Sequence, residues 1–195
     1  MRIMSNKDEL LQLDLFKSED LNKIKKVLFT LYFGMPLLHR LIKLNLLFKI
    51  LFLKPVKPLE SEIAIEDNVF IEKYDFVKPF ELSGFKVKFI FNIDEAIQFC
   101  HNNIQEVSVM VDDVYANVIY DSTASDDCRC YNEPVIIADC FRTLILIDGN
   151  HRLAAKVKNH ESTMKAYNLS YEQVSKAIIY KTYREVFQLL NATVY

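Results

Sequence analysis

The apolar positions of this chain change period along its length, and each change marks a predicted element. Near the start, "KDELLQLDLF" spaces its apolar residues at i, i+3 and i+4, the repeat of one helix face. "SEDLNKIKKVLFTLYF" continues that spacing, with Ser18 as its expected N-cap. Pro36 interrupts the next apolar run, and "KPVKP" from Lys54 to Pro58 predicts an extended linker. Beyond it the repeat shortens to alternation. "SEIAIEDNVFIEKYDF" and "GFKVKFIFN" predict strands, "IDEAIQFCHNNI" a short helix and "SVMVDDVYANVIYDS" a further strand pair. "TASDDCRCYNE" is polar without apolar period and predicts a loop.

The C-terminal third is the most sharply patterned. "PVIIA" and "TLILI" are short β-rich runs around Asp139 to Arg142, which predicts a hairpin. "HRLAAKVKN" then has helical spacing, with Leu153, Ala154 and Val157 on one face, and "MKAYNLS" can return as a strand. Ser170 with Gln173 forms a capping box expected to open one long helix, "YEQVSKAIIYKTYREVFQLL". The fold class is therefore α+β: a small mixed sheet with helices, plus an N-terminal helical appendage. We divide the chain into 1–58 (helical, apolar and basic), 59–170 (the mixed domain) and 171–195 (a C-terminal helix packed on it).

Composition narrows the class. At 195 residues, with 51% hydrophobic and 26% charged residues, the chain can build a sizeable core, which excludes wholesale disorder. The net charge of −2 hides a strong asymmetry. Leu21 to Pro58 holds eight Lys/Arg and no acid, Leu59 to Cys140 seventeen acids against five Lys/Arg, and Phe141 to Tyr195 eight Lys/Arg against four acids. The acidic middle does not support direct duplex DNA binding, which demands positive surface. The N-terminus is too acidic for a secretory signal, and Cys128-x-Cys130 is no disulfide framework, so a cytoplasmic location with reduced cysteines is expected.

Val27 to Leu53 is unusually apolar, but its longest uncharged run, Val27 to Leu38, falls well short of the ~20 residues that span a bilayer. Two roles remain for it. Residues 21–53 can pack as a helix on the acidic domain, on a protein partner or on a second copy, and core helices of this length are the commoner case. They can also lie in a membrane interface, Arg40, Lys43, Lys49 and Lys54 meeting anionic head groups, which would make the protein membrane-associated.

The candidate chemistry sits in "TLILIDGNHRLAAKVKN", Thr143 to Asn159. The chain has only three glycines, and one of them, Gly149, falls where a strand should end and a helix begin. Gly149 permits a turn that a side chain would resist. A helix starting near His151 aims N–H groups and a positive dipole end at that turn, a setting for phosphate. Arg152 can supply a planar fork to phosphate oxygens, and His151 a hydrogen bond or a charge near neutral pH. Asp148 would repel phosphate, and makes sense if it binds Mg²⁺, positions an attacking hydroxyl or pairs with the arginine. The alternative is structural: Asp-Gly-Asn is a common turn, Asp148 can cap the helix, and Arg152 can pair with any nearby acid.

"EPVIIADCFRTLILIDGNHRLAAK", Glu133 to Lys156, resembles the ParB/sulfiredoxin-like superfamily, in which a strand hairpin runs into a Gly-x-x-Arg turn that holds nucleotide phosphates. The strand-like "MKAYNLS" falls where the next family strand would. The match is clear at 133–156, looser over 60–170, and does not reach 1–58. The version of the motif is similar to Asp-Gly-His-His-Arg of free serine kinases of this fold and to Asp-Gly-Gln-His-Arg of DNA-modification-associated proteins. Where sulfiredoxins place a catalytic cysteine this chain has Asn150, which disfavours sulfinic acid repair by that route. The residues after Arg152 are expected to be too few for the helix-turn-helix and dimerisation domains of chromosome-partitioning relatives. The resemblance implies Mg²⁺-dependent phosphoryl transfer or NTP hydrolysis with ATP, ADP or CTP. Asp148 and His151 would be the essential polar groups, and Gly149, Asn150 and Arg152 would hold phosphate. The kinases also need a carboxylate base from early in the domain, for which Glu60, Glu62, Glu66 and Glu81 are candidates. The competing class is a non-enzymatic regulatory or adaptor module that keeps this fold and binds protein or nucleic-acid partners.

Other clusters carry weaker signals. Cys128, Cys130 and Cys140, with Cys100 or His101, could hold zinc only at a spacing tighter than structural zinc sites use. Asp112-Asp113 and Asp126-Asp127 lack the glycine and terminal glutamate of a calcium loop and are expected to be solvated charge.

Overall fold

The structure is a computed structural model and describes residues 10–121, 124 and 132–194. The chain divides into two compact units, Met1–Phe91 with Ile178–Val194, and Asn92–Ala177. Both mix helices with a sheet, in keeping with the predicted α+β class.

In the first unit a short strand β1 (Leu11–Gln12) pairs in parallel with β3 (Phe85–Asn92), which also neighbours β2 (Lys73–Phe80). Within "KDELLQLDLF", Leu11–Gln12 is therefore strand where helix was predicted, and Leu13 and Leu15, just beyond it, are buried. Helix α1 (Ser18–Gly34) begins one residue earlier than predicted, with Lys17 rather than Ser18 at the N-cap. It buries Leu21, Ile24, Leu28 and Tyr32, a single stripe at helical spacing. Two short helices follow, α2 (Leu37–Ile42) and α3 (Leu44–Phe52). The Tyr32 hydroxyl donates to the Arg40 carbonyl at 2.8 Å, and Lys43 Nζ donates to the Ala192 carbonyl at 2.8 Å, which pins the α2–α3 elbow at both sides.

"SEIAIED", expected as strand, forms helix α4 (Glu60–Asp67). The reason lies in Glu62, which caps the helix locally and ties it to a distant segment. Glu62 Oε2 accepts the Leu59 N–H at 2.7 Å, one half of a capping box, and its Oε1 accepts the Lys181 N–H at 3.0 Å. Helix α9 (Lys181–Val194) buries Val186, Phe187, Leu189 and Leu190, and Phe187 stacks edge-on against Phe89 and Phe91 of β3.

The second unit opens with α5 (Ile93–Asn103), whose N-cap Asn92 accepts the Glu95 N–H at 3.2 Å. Its five-stranded mixed sheet runs β4 (Val107–Met110), β8 (Thr163–Ser170), β6 (Val135–Cys140), β7 (Thr143–Asp148), β5 (Val118–Ile119). The predicted hairpin is present as β6–β7, turned by Phe141 and Arg142, both left-handed (φ 55° and 58°), as a two-residue type I′ connection requires. Between β4 and β5 the expected strand pair is instead interrupted by helix α6 (Val111–Asn117), whose Val111 and Val114 join Val118 in burial at i, i+3, i+7 spacing. With Leu153 of helix α7 (Asn150–Lys158), these valines close the core over Val135, Ile137 and Leu146.

The capping box at Ser170 and Gln173 is present, but it opens only α8 (Tyr171–Val174). The single long helix predicted from it is broken. A 3-10 turn follows at Ser175–Ala177, Ile178 then bridges to Phe91, and the Ile179 N–H donates to the Ile90 carbonyl at 3.0 Å. That pairing takes backbone groups a continuous helix would need for itself. No helix among the described residues is long and apolar enough to cross a membrane.

Candidate functional site at the β7–α7 turn

Strand β7 delivers Asp148 to the end of the sheet, and the chain turns at once into α7 through Gly149, at φ 102° and ψ 22°. A Cβ at this position would lie 2.4 Å from Val135 Cγ1, so glycine is required twice, by dihedral and by contact. The Gly149 carbonyl accepts the Leu153 N–H at 2.9 Å and begins the helical ladder. As N-cap, glycine offers no side chain to the first-turn amides of Asn150, His151 and Arg152.

Arg152 does not project to solvent. Only 7% of it is exposed, and its fork closes on two strand ends at once. Nη2 donates to Asp148 Oδ2, four residues back, and Nη1 donates to the Pro134 carbonyl at 2.8 Å, immediately before β6. Glu133 Oε2 stands 3.7 Å from Nη1 at the solvent side. The guanidinium thus ties the end of β7 to the start of β6, as a delocalised fork can and an ammonium cannot. Asn150 holds the other flank: its Oδ1 accepts the Asp121 N–H at 2.7 Å, just past β5. His151 is exposed on the first turn of α7.

All five residues singled out in the sequence therefore meet at one turn, but their charges point differently. Asp148 and Arg152 face each other inside, Asn150 faces the neighbouring segment, and His151 faces water. Asp148 also reaches α5 electrostatically: burial, and then the Asp148 charge, push the Cys100 thiol up to about 11. Cys140, buried in β6, is raised as well, by burial and then by Asp139. Neither thiol carries thiolate near neutral pH.

The remaining candidates separate. Glu60, Glu62, Glu66 and Glu81 lie in the first unit, and Glu62 serves as a cap for two helix starts. Asp112 and Asp113 occupy the first turn of α6, where carboxylates complement the helix dipole. Among the described residues no three His, Cys, Asp or Glu side chains gather as a metal would need. Cys128, Cys130 and the pair Asp126-Asp127 lie outside the described residues.

One feature of the second unit was missed by the sequence reading. A groove of about 690 Å³ opens over the sheet, with Val109, Asp113, Asn117, Asp139, Leu144 and Asn168 among its lining. It lies at the Leu144 end of β7, away from Asp148. Its residues come from six elements, so no local pattern could announce it.

No family model, no curated protein and no solved structure matches this chain.

Proposed function

We propose that the β7–α7 turn binds the phosphates of a nucleotide, and that Mg²⁺-dependent phosphoryl transfer or NTP hydrolysis is the chemistry it serves. The observation that carries this reading is the junction itself: a left-handed Gly149 leading directly into α7, with Arg152 fixed behind it. The first-turn amides and the dipole of α7 favour an anion there. In this reading His151, exposed on the same first turn, donates to a phosphate oxygen.

In this reading the roles expected from the motif are divided differently. Arg152 acts from behind the turn: its guanidinium shapes the loop and adds positive charge, while Asp148 orients it. For Asp148 to take up Mg²⁺ or an acceptor hydroxyl, the Asp148–Arg152 pair must open, with incoming phosphate replacing the carboxylate on the fork.

A second reading, the regulatory or adaptor module, is favoured by that same pair, since two charges satisfied by each other are not waiting for a ligand. Calorimetric titration with ATP, ADP and CTP in the presence of Mg²⁺ separates the two. Saturable binding that weakens at least tenfold in His151→Ala supports the nucleotide site. Absence of binding by the folded wild type removes it and leaves the adaptor reading.

A further inference from the structure

Helix α2 is "LLHRLI", and none of its six residues is buried. Leu37, Leu38, Leu41 and Ile42 all face outward. Helix α3 buries Leu46 and Ile50, with Leu53 just beyond it, yet its opposite face carries Leu44, Phe48, Leu51 and Phe52. These eight outward side chains are between 46% and 72% exposed, within sixteen consecutive residues. A helix apolar on both faces has one partner inside and requires another outside. The elbow is not loose, because the Tyr32 and Lys43 hydrogen bonds hold it, so the apolar face is presented rather than momentarily uncovered.

Charge identifies the occupant. From Leu21 to Pro58 no acidic residue occurs, and Lys49, Lys54 and Lys57 are exposed on and just beyond α3. A second copy docked about a two-fold axis would set this cationic surface against itself. The apolar set is leucine, isoleucine and phenylalanine, the residues that enter hydrocarbon most readily, whereas leucine is under-represented among the anchors of protein interfaces. We infer that the α2–α3 elbow docks on an anionic lipid surface, its Leu/Ile/Phe face entering the acyl boundary and its lysines meeting the head groups. The inference is independent of the nucleotide reading.

Co-sedimentation of the full chain with phosphatidylcholine vesicles, with and without phosphatidylserine, tests it. The wild type is expected to pellet with the anionic vesicles and to be released as salt rises. Leu41→Glu with Phe48→Glu, both at exposed positions, should reduce binding to background without changing the unfolding midpoint. Lys49→Gln with Lys54→Gln should weaken it about 25-fold, taking about fivefold per cation. A folded wild type that stays in the supernatant, or a glutamate double variant that still pellets, overturns the proposal. So does a dimer in light scattering that the glutamate variant dissociates while neither protein binds vesicles, because the face would then belong to a second copy.

Discussion

The β7–α7 turn and the α2–α3 elbow treat their awkward residues in opposite ways. At the turn, an arginine and an aspartate have been taken out of water, and the low polarity around them is offset by mutual pairing and a backbone carbonyl. At the elbow, leucines and phenylalanines have been left in water with nothing in the described chain to cover them. The first region is internally complete, so any ligand must be read from what still faces outward, His151 and the first-turn amides. The second is internally incomplete, and its incompleteness is the evidence for a partner. Buried charge is a poor guide to a binding site, while uncovered apolar surface is a good one.

The strongest way to break this contrast is at the clasp. Arg152→Ala should lower stability by about 3 kcal/mol in urea denaturation, because Asp148, largely shielded from water, loses its counter-ion. A loss below about 1 kcal/mol would place Arg152 among the exposed charges, able to meet phosphate without first giving up a buried pair. Gly149→Ala comes next, at about 3 kcal/mol, since the methyl meets Val135 and the dihedral disfavours any side chain. Gly84→Ala is its control: the residue is also left-handed, at φ 70°, but has open space around it, so only about 1 kcal/mol is expected.

Within the elbow the same contrast can be sharpened on one helix. Ile50→Ala, on the covered face of α3, should cost about 2–4 kcal/mol. Phe48→Ala, on the uncovered face, should stay within about 0.5 kcal/mol. Equal losses would show that the exposed face is covered in solution.

A pH series probes the interior next to the turn. The Cys100 thiol is raised from 9.0 to about 11, so the unfolded chain releases its proton first as pH rises. Its contribution is fully present below pH 9 and is lost between 9 and about 11. The fall in denaturation midpoint across that window should be shallower in Cys100→Ala than in the wild type. An equally small effect is expected from His151→Ala, within about 0.5 kcal/mol, which makes it a clean variant for testing the nucleotide site without disturbing the fold.

Much of the second unit was legible in the sequence, because its signals are local. The hairpin of β6 and β7, the helices α5 and α7, strand β8 and the Ser170–Gln173 box each follow from a few adjacent residues. The failures also have physical causes. "SEIAIED" alternates like a strand over too few residues to outweigh a Glu62 cap, and "VDDVYAN" carries valines whose helical spacing shows only once Val118 is counted with them. The segment after Val174 has a helical period throughout, yet pairing of Ile178 with Phe91 breaks it. At the candidate site, the sequence named the five residues and the glycine turn but not the direction of their charges.

By itself, then, the sequence determined the local elements, the charge asymmetry of the N-terminal segment and the meeting of Asp148 to Arg152 at one strand-to-helix junction. These depend on interactions a few residues long. Only the tertiary structure decided that Arg152 is enclosed between Asp148 and Pro134, that the strands order as β4-β8-β6-β7-β5, and that one face of α2 and α3 is left open. Each of those depends on which distant segment arrives to bury a side chain, and apolar or charged character in a sequence does not say whether a partner comes.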